Sequence, residues 1–174
     1  MKYLIPLVLV LAFAACDDVP RTESGEVIND WKKLNVQGNV KAIKEIKFLA
    51  VDNFSEVKNG EKIRHIYNKE LLFNLDGFLI EENDYIPDGT LANRTMFLSK
   101  ENKLIEYNEY ESQGMLFGTG KYEMGDDGFP MSLEYKTNDG RYNWSKKYTS
   151  DENGNVTQVD LYSATGVEES KELY

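Results

Sequence analysis

Nine aromatic residues recur at near-regular intervals from residue 73 onward: Phe73, Tyr85, Phe97, Tyr110, Tyr122, Tyr135, Tyr148, Tyr162 and Tyr174. The steps between them are 12, 12, 13, 12, 13, 13, 14 and 12 residues. Each of the first eight is followed within a few residues by a turn former: Gly77, Gly89, Asn102, Gly114, Gly128, Gly140, Gly154 and Gly166. An interval of about a dozen residues holds one short strand and one tight turn, and leaves no room for the crossover helix that parallel strands require. The period therefore predicts an all-β antiparallel meander built from strand-turn repeats of about 12–13 residues.

The turn chemistry agrees. Asp76-Gly77, Asp88-Gly89, Asp127-Gly128, Asp139-Gly140 and Asn153-Gly154 all tolerate positive φ, as tight antiparallel connections demand. Alternation places Phe129, Met131, Leu133 and Tyr135 on one face, and Tyr142, Trp144 and Tyr148 likewise on one. In "NVTQVDLY" (155–162) apolar residues fall on both faces, which points to a bulge or to a strand covered on each side. Upstream, residues 39–51 and 61–73 are rich in β-formers and flank a loop containing Asn59-Gly60, adding a longer hairpin for about ten strands in all. A short helix is expected from Asp30 within "VINDWKKLN". The sheet is read as open, curved and single rather than as a closed soluble barrel. A transmembrane barrel is excluded, because strands carrying "IEEND" and "EESKE" leave no continuous outward apolar band.

The amino-terminal segment has a different character. Lys2 precedes the apolar stretch "YLIPLVLVLAFAA", which is too short for the roughly twenty residues a membrane-crossing helix needs and has the form of a signal-peptide core. Phe13-Ala14-Ala15-Cys16 resembles the lipobox of bacterial lipoproteins. That resemblance implies cleavage before Cys16, the only cysteine, and diacylation of its sulfur, palmitate being a typical chain. Two or three acyl chains hold a protein on a membrane without spanning it. Asp17 and Asp18 resemble the sorting or surface-export signals of Gram-negative lipoproteins, especially those of the Bacteroides type. The implied location is the envelope of a Gram-negative bacterium, at the outer membrane, with surface exposure consistent with the acidic pair. The chain then divides into a signal peptide (1–15), a lipidated Cys16 with a flexible tether (16–33), and one β-repeat domain (34–174).

Two stretches carry a second resemblance. "YTSDENGNVTQVDLYSATG" (148–166) and "FNLDGFLIEENDY" (73–85) are similar to the RHS, or YD-repeat, family and to MORN-like repeats, with Tyr148, Asp151, Gly154 and Asn155 matching the repeat's Y, D, G and N. The resemblance covers roughly residues 73–174 and implies sheet architecture rather than an activity.

Charge and residue inventory narrow the function. Removing residues 1–15 takes away one lysine and no acid, leaving 19 basic against 30 acidic residues and a net charge of −11. Nucleic-acid binding is excluded by that excess, since each backbone contact needs a cation facing a phosphate. One cysteine cannot form an internal disulfide, and with His65 as the only histidine there is no zinc-ligand cluster, so neither a metal nor another cofactor is expected. His65 is read as part of a strand face with Ile63 and Tyr67. Glu81, Glu82, Glu106, Glu109 and Glu134 are numerous enough for a glycosidase pair, yet they sit beside Asn, Ser and Lys, where carboxylates stay solvated. Asp151 to Asn155 begins like a calcium loop but lacks its later glycine and terminal glutamate, and is read as a turn. No catalytic residue is assigned. Tyr142 and Trp144 are the candidate binding surface, being flat aromatic groups suited to a sugar ring or a protein partner. The resulting expectation is an envelope lipoprotein acting as a non-catalytic binding or scaffold module for an envelope protein or glycan. The alternatives are a glycan-processing enzyme or enzyme subunit, and an immunity or antitoxin-like protein. Protein extracted from host membranes should lack residues 1–15 and carry acyl mass at Cys16, and Cys16→Ser should move it to the soluble fraction; mass spectrometry and fractionation read both.

Overall fold

The computed structural model describes residues 29–53, 56–63, 66–126 and 129–174. Residues 1–28, and with them Cys16 and the tether to that point, lie outside the described residues, as does His65. One short helix, α1 (Asp30–Lys33), precedes twelve strands: β1 (Ala42–Glu45), β2 (Phe48–Asn53), β3 (Glu56–Lys62), β4 (Asn68–Phe73), β5 (Leu79–Tyr85), β6 (Leu91–Lys100), β7 (Lys103–Glu111), β8 (Leu116–Met124), β9 (Pro130–Thr137), β10 (Asn143–Ser150), β11 (Val156–Ser163) and β12 (Glu168–Leu173). Ten of them form one antiparallel sheet in the order β1-β4-β5-β6-β7-β8-β9-β10-β11-β12, with β1 and β12 at opposite ends, so the sheet is open. β2 and β3 form a separate hairpin inserted between β1 and β4. The meander expected from the aromatic period is the observed architecture.

The turn after β10 shows how the repeat closes. Asp151 N–H donates to Asn155 O at 2.9 Å and Gly154 N–H to Asp151 O at 3.0 Å, while Asp151 Oδ1 accepts from the N–H groups of Asn153 and Asn155, both at 2.9 Å. Gly154 completes the loop at φ +84, in the left-handed region that a side chain resists. This three-residue loop closes on a left-handed glycine, and the register shifts by one just beyond it, between Thr149 and Ser150. The β6–β7 connection differs: Glu101 and Asn102 both have positive φ, as in a two-residue mirror-image turn.

Such register shifts correct one face assignment and decide another that the sequence leaves open. Met124 pairs with Pro130 and Glu123 with Ser132, so Met131 is the extra residue of a bulge and is 48% exposed instead of sharing the face of Leu133 and Tyr135. Ser150 pairs with Val156 and Thr149 with Gln158, so Thr157 is extra and both Val156 and Val159 are buried, which settles the double-faced pattern of β11 as a bulge. The Asn59-Gly60 pair is also not in a loop. It lies within β3, Asn59 opposite Ala50, and Gly60 serves close approach: a Cβ there would meet Val51 Cγ2 at 2.5 Å. The flanking segments still pair, as β1 with β4, Ala42 opposite Leu72.

One face of the sheet carries the core. Leu71, Phe73, Leu133, Tyr135, Val156 and Val159 are its buried apolar residues, and none of the described large side chains is below 2% exposure. Without a second layer, cover comes from rings lying across neighbouring strands. Tyr107 and Tyr135 stand on either side of β8 in register with Gly120, and a Cβ on Gly120 would meet the Tyr107 ring at 2.2 Å. At the other end Asn29 caps α1, Asp30 Oδ2 accepts the Leu79 N–H at 2.7 Å, and Trp31 packs on Gly77 with its ring 6.4 Å from Phe73. The opposite face is a polar ladder: Arg94 joins Asn83 and Glu81, Asn108 joins Glu106 and Thr119, and Lys171 joins Asp160. Asn83 is buried within this ladder at 3% exposure, and the other members are partly exposed.

Gly120→Ala should cost about 1–3 kcal/mol by overpacking the Tyr107 ring. Gly114→Ala, whose Cβ meets nothing within 4 Å, should cost only the left-handed backbone strain of roughly 1–2 kcal/mol. Urea midpoints measure both, and the tyrosine fluorescence near β8 should change only in the first.

Candidate functional site

The middle rung of the sheet sets a row across five strands: Phe97 of β6 opposite Tyr107 of β7, then Gly120, Tyr135 and Trp144 of β8, β9 and β10. Because Gly120 has no side chain, Tyr107 reaches Tyr135 over it, with ring centroids 6.1 Å apart and planes 24° apart. Tyr135 then stacks on Trp144 at 5.0 Å and 15°. Offset stacks of this kind are worth about 0.5–1.5 kcal/mol beyond the area they bury. Tyr122 leans on Tyr107 from one side at 6.3 Å, and the Lys146 ammonium sits 5.7 Å from the Trp144 ring centre.

Trp144 therefore ends a built row, half-buried, with Tyr135 beneath it at 6% exposure. Tyr142, its companion in the sequence reading, is held differently. It lies in the turn before β10, 69% exposed, with its N–H donating to Thr137 Oγ1 at 3.0 Å. No ring contact joins Tyr142 to the row among the described residues. What the sequence reading missed was Tyr107 and Tyr135 as partners of Trp144. The signal was present in "FGTG" (117–120), where two glycines inside a strand mark places for rings from the flanking strands.

Beside the row, on the same face, a shallow trough of about 340 Å³ runs between β5 and β8. Asp84, Asn93, Thr95, Glu109 and Glu111 line it with Phe117. Tyr135 donates its phenol proton to Glu109 Oε2, tying the aromatic row to the trough. Burial raises the Tyr135 pKa, and the Glu109 carboxylate raises it further, so the phenol stays a donor through the physiological range. Asp84 is pushed above the usual carboxylate range chiefly by burial, with Lys69 and Lys47 pulling down and Glu82 pushing up. The turn aspartates behave oppositely: Asp88, Asp139 and Asp151 lie below their ordinary value because N–H groups of Thr90, Arg141 and Asn155 bond them.

The glutamates considered for catalysis are dispersed. Glu81, Glu106 and Glu134 belong to the polar face, held by Arg94, Lys121 and Lys136. Glu82 pairs with Lys69 and Glu109 accepts from Tyr135, both on the aromatic face. Asp151 uses its carboxylate within its own turn, Asn155 Nδ2 donating to Oδ2 at 3.0 Å, as the turn reading holds. Among the described residues no group of three or more His, Cys, Asp or Glu side chains is placed to hold a metal ion.

No family model matches the sequence, and no curated protein matches it either. Among solved structures the chain is similar to a porin-like protein from Bacteroides uniformis ATCC 8492, at 12% identity and a TM-score of 0.47, over 76% of this chain and 49% of that one. The chain thus spans about half the length of that structure.

The raised Asp84 pKa has a definite sign. The folded state holds this proton more tightly than the unfolded chain does, so ionising Asp84 opposes folding, and the opposition grows as pH rises through the folded pKa. Asp84→Asn should raise the urea midpoint near neutral pH, with the gain shrinking as pH falls to the unfolded carboxylate range and both side chains become neutral.

Proposed function

We propose that this protein is a lipid-anchored lipoprotein of the Gram-negative cell envelope whose open β-repeat sheet is a non-catalytic binding or scaffold module. The anchoring half of the reading is supported by the short apolar run of residues 1–15 ending in Ala14-Ala15-Cys16, with Asp17-Asp18 behind it. Attachment through acyl chains fixes the domain at the membrane while leaving both faces of its sheet accessible.

The observation that carries the binding half is the aromatic row meeting the trough. Trp144, Tyr135 and Tyr107 supply a pre-stacked apolar edge, and Glu109, Asn93 and Thr95 supply hydrogen-bonding groups beside it. Partners are recognised where a rigid aromatic anchor is flanked by polar groups, and rings already locked by stacking lose little freedom on binding. Tyr142, exposed in the neighbouring turn, gives the same end of the sheet a second aromatic contact.

A glycan-processing role is the second reading, favoured by one feature: Asp84 and Glu109 line the same trough and Asp84 is raised toward the protonated form a general acid needs. Against it, the Glu109 carboxylate is occupied by the Tyr135 phenol.

Affinity capture from detergent-solubilised envelopes should recover a partner protein or glycan with the wild type. Trp144→Ala should reduce recovery about tenfold, the loss expected for an interface anchor worth ~1.4 kcal/mol or more. Capture that is equal for both chains, or absent with both, would count against the binding reading. Release of reducing sugar from envelope glycan, abolished by Asp84→Asn, would favour the enzyme.

A further inference from the structure

The β2–β3 hairpin pairs only with itself among the described residues. Two strands alone are marginal in water, and this pair leaves Leu49, Val51 and Val57 at 51%, 48% and 76% exposure. At the far end of the sheet, β12 is an edge strand whose six residues are all exposed, Leu173 at 74%. The molecule thus carries two incomplete β surfaces, an apolar hairpin and an open edge.

We propose that β3 of one copy pairs antiparallel with β12 of a second copy, extending that sheet by the hairpin. One register satisfies both strands. It sets Val57 opposite Leu173, Lys58 opposite Glu172, Gly60 opposite Ser170 and Lys62 opposite Glu168. The two most exposed apolar side chains of these strands cover each other, and two lysines meet two glutamates; cross-strand pairs of either kind stabilise a sheet.

The irregularities of the two strands coincide in this register. In β3, Asn59 pairs with Ala50 but Lys62 with Phe48, so one extra residue is taken up at Gly60–Glu61. In β12, Ser170 pairs with Leu161 but Glu168 with Tyr162, so Glu169 is extra. Each strand therefore turns over by one residue at the same level, and Lys62 and Glu168 arrive on one face. Glu61 and Glu169, the one like-charged pair, both fall in the bulge, where they are not forced into opposition.

Charge also selects this partner over a second β12. Two β12 strands centred on Ser170 would set Glu168 against Glu172 twice, which offsets their two Glu169–Lys171 pairs and leaves no net attraction. β3 sets Lys58 and Lys62 against Glu172 and Glu168, with one like-charged pair, Glu61 and Glu169, in the bulge, and so keeps a net attraction to the acidic edge. The contact joins unlike surfaces, so copies add head to tail.

The test uses full chains carrying two different tags, co-expressed in the host envelope and oxidised briefly. Val57→Cys in one and Leu173→Cys in the other should give a mixed-tag disulfide at about tenfold the yield of Val57→Cys with Leu75→Cys, because the bond forms only when the two Cα atoms come within about 7 Å. Leu75 is 96% exposed and lies in the turn between β4 and β5, in neither strand, and Cys16 is common to every chain. Adding Lys58→Glu to the first chain should lower the yield, and adding Glu172→Lys to the second should restore it. A yield no higher than the Leu75→Cys control overturns the contact, and a yield indifferent to the charge exchange overturns this register.

Discussion

A sheet of one layer has nothing to bury its apolar face against except its own side chains, and that constraint shapes this protein. Tyr107 can lie across β8 only because Gly120 has no side chain there, and Tyr135 uses the space over Gly118 in the same way. Trp144 rests on Tyr135, and Tyr135 gives its phenol proton to Glu109. The chain of contacts runs across the strands rather than between layers, so core, candidate binding edge and trough are parts of one structure. Removing a ring would open the core and alter the surface together.

The opposite face answers the same constraint with polar groups. Arg94, Asn83 and Glu81, and further along Lys121, Glu106, Asn108 and Thr119, satisfy one another across neighbouring strands. The ion pairs of that face neutralise one another locally. Part of the chain's acidic excess lines the trough, where Asp84, Glu109 and Glu111 converge.

Much of the fold was legible because it is local. Turn residues and an aromatic every dozen residues report on stretches of five or six residues, and the turns at Gly77, Gly89, Asn102, Gly114, Gly140, Gly154 and Gly166 were read correctly, as was the helix start at Asp30, while Asp127-Gly128 lies outside the described residues. The bulge at Met131 was not legible, since whether the register is displaced beside a turn depends on both strands at once. Asn59-Gly60 misled for a related reason: the pair that best fits a turn is used inside β3 to admit Val51. At the candidate site, Trp144 was found by its chemistry, but its partners lie 9 and 37 residues away in sequence and are brought beside it by register alone. Tyr142 shared its parity and not its environment, because the strand begins only at Asn143.

The meander order of the sheet has a consequence for how such a chain changes length. From β5 to β12 each strand bonds only to strands adjacent to it in sequence, so no connection there passes over another strand. Duplicating or losing two adjoining strand-turn units returns the backbone to the same heading and the same face, whereas a single unit would turn the remainder end for end. The architecture can therefore grow or shrink in pairs, as a nearest-neighbour array does, without relocating what lies at either extremity.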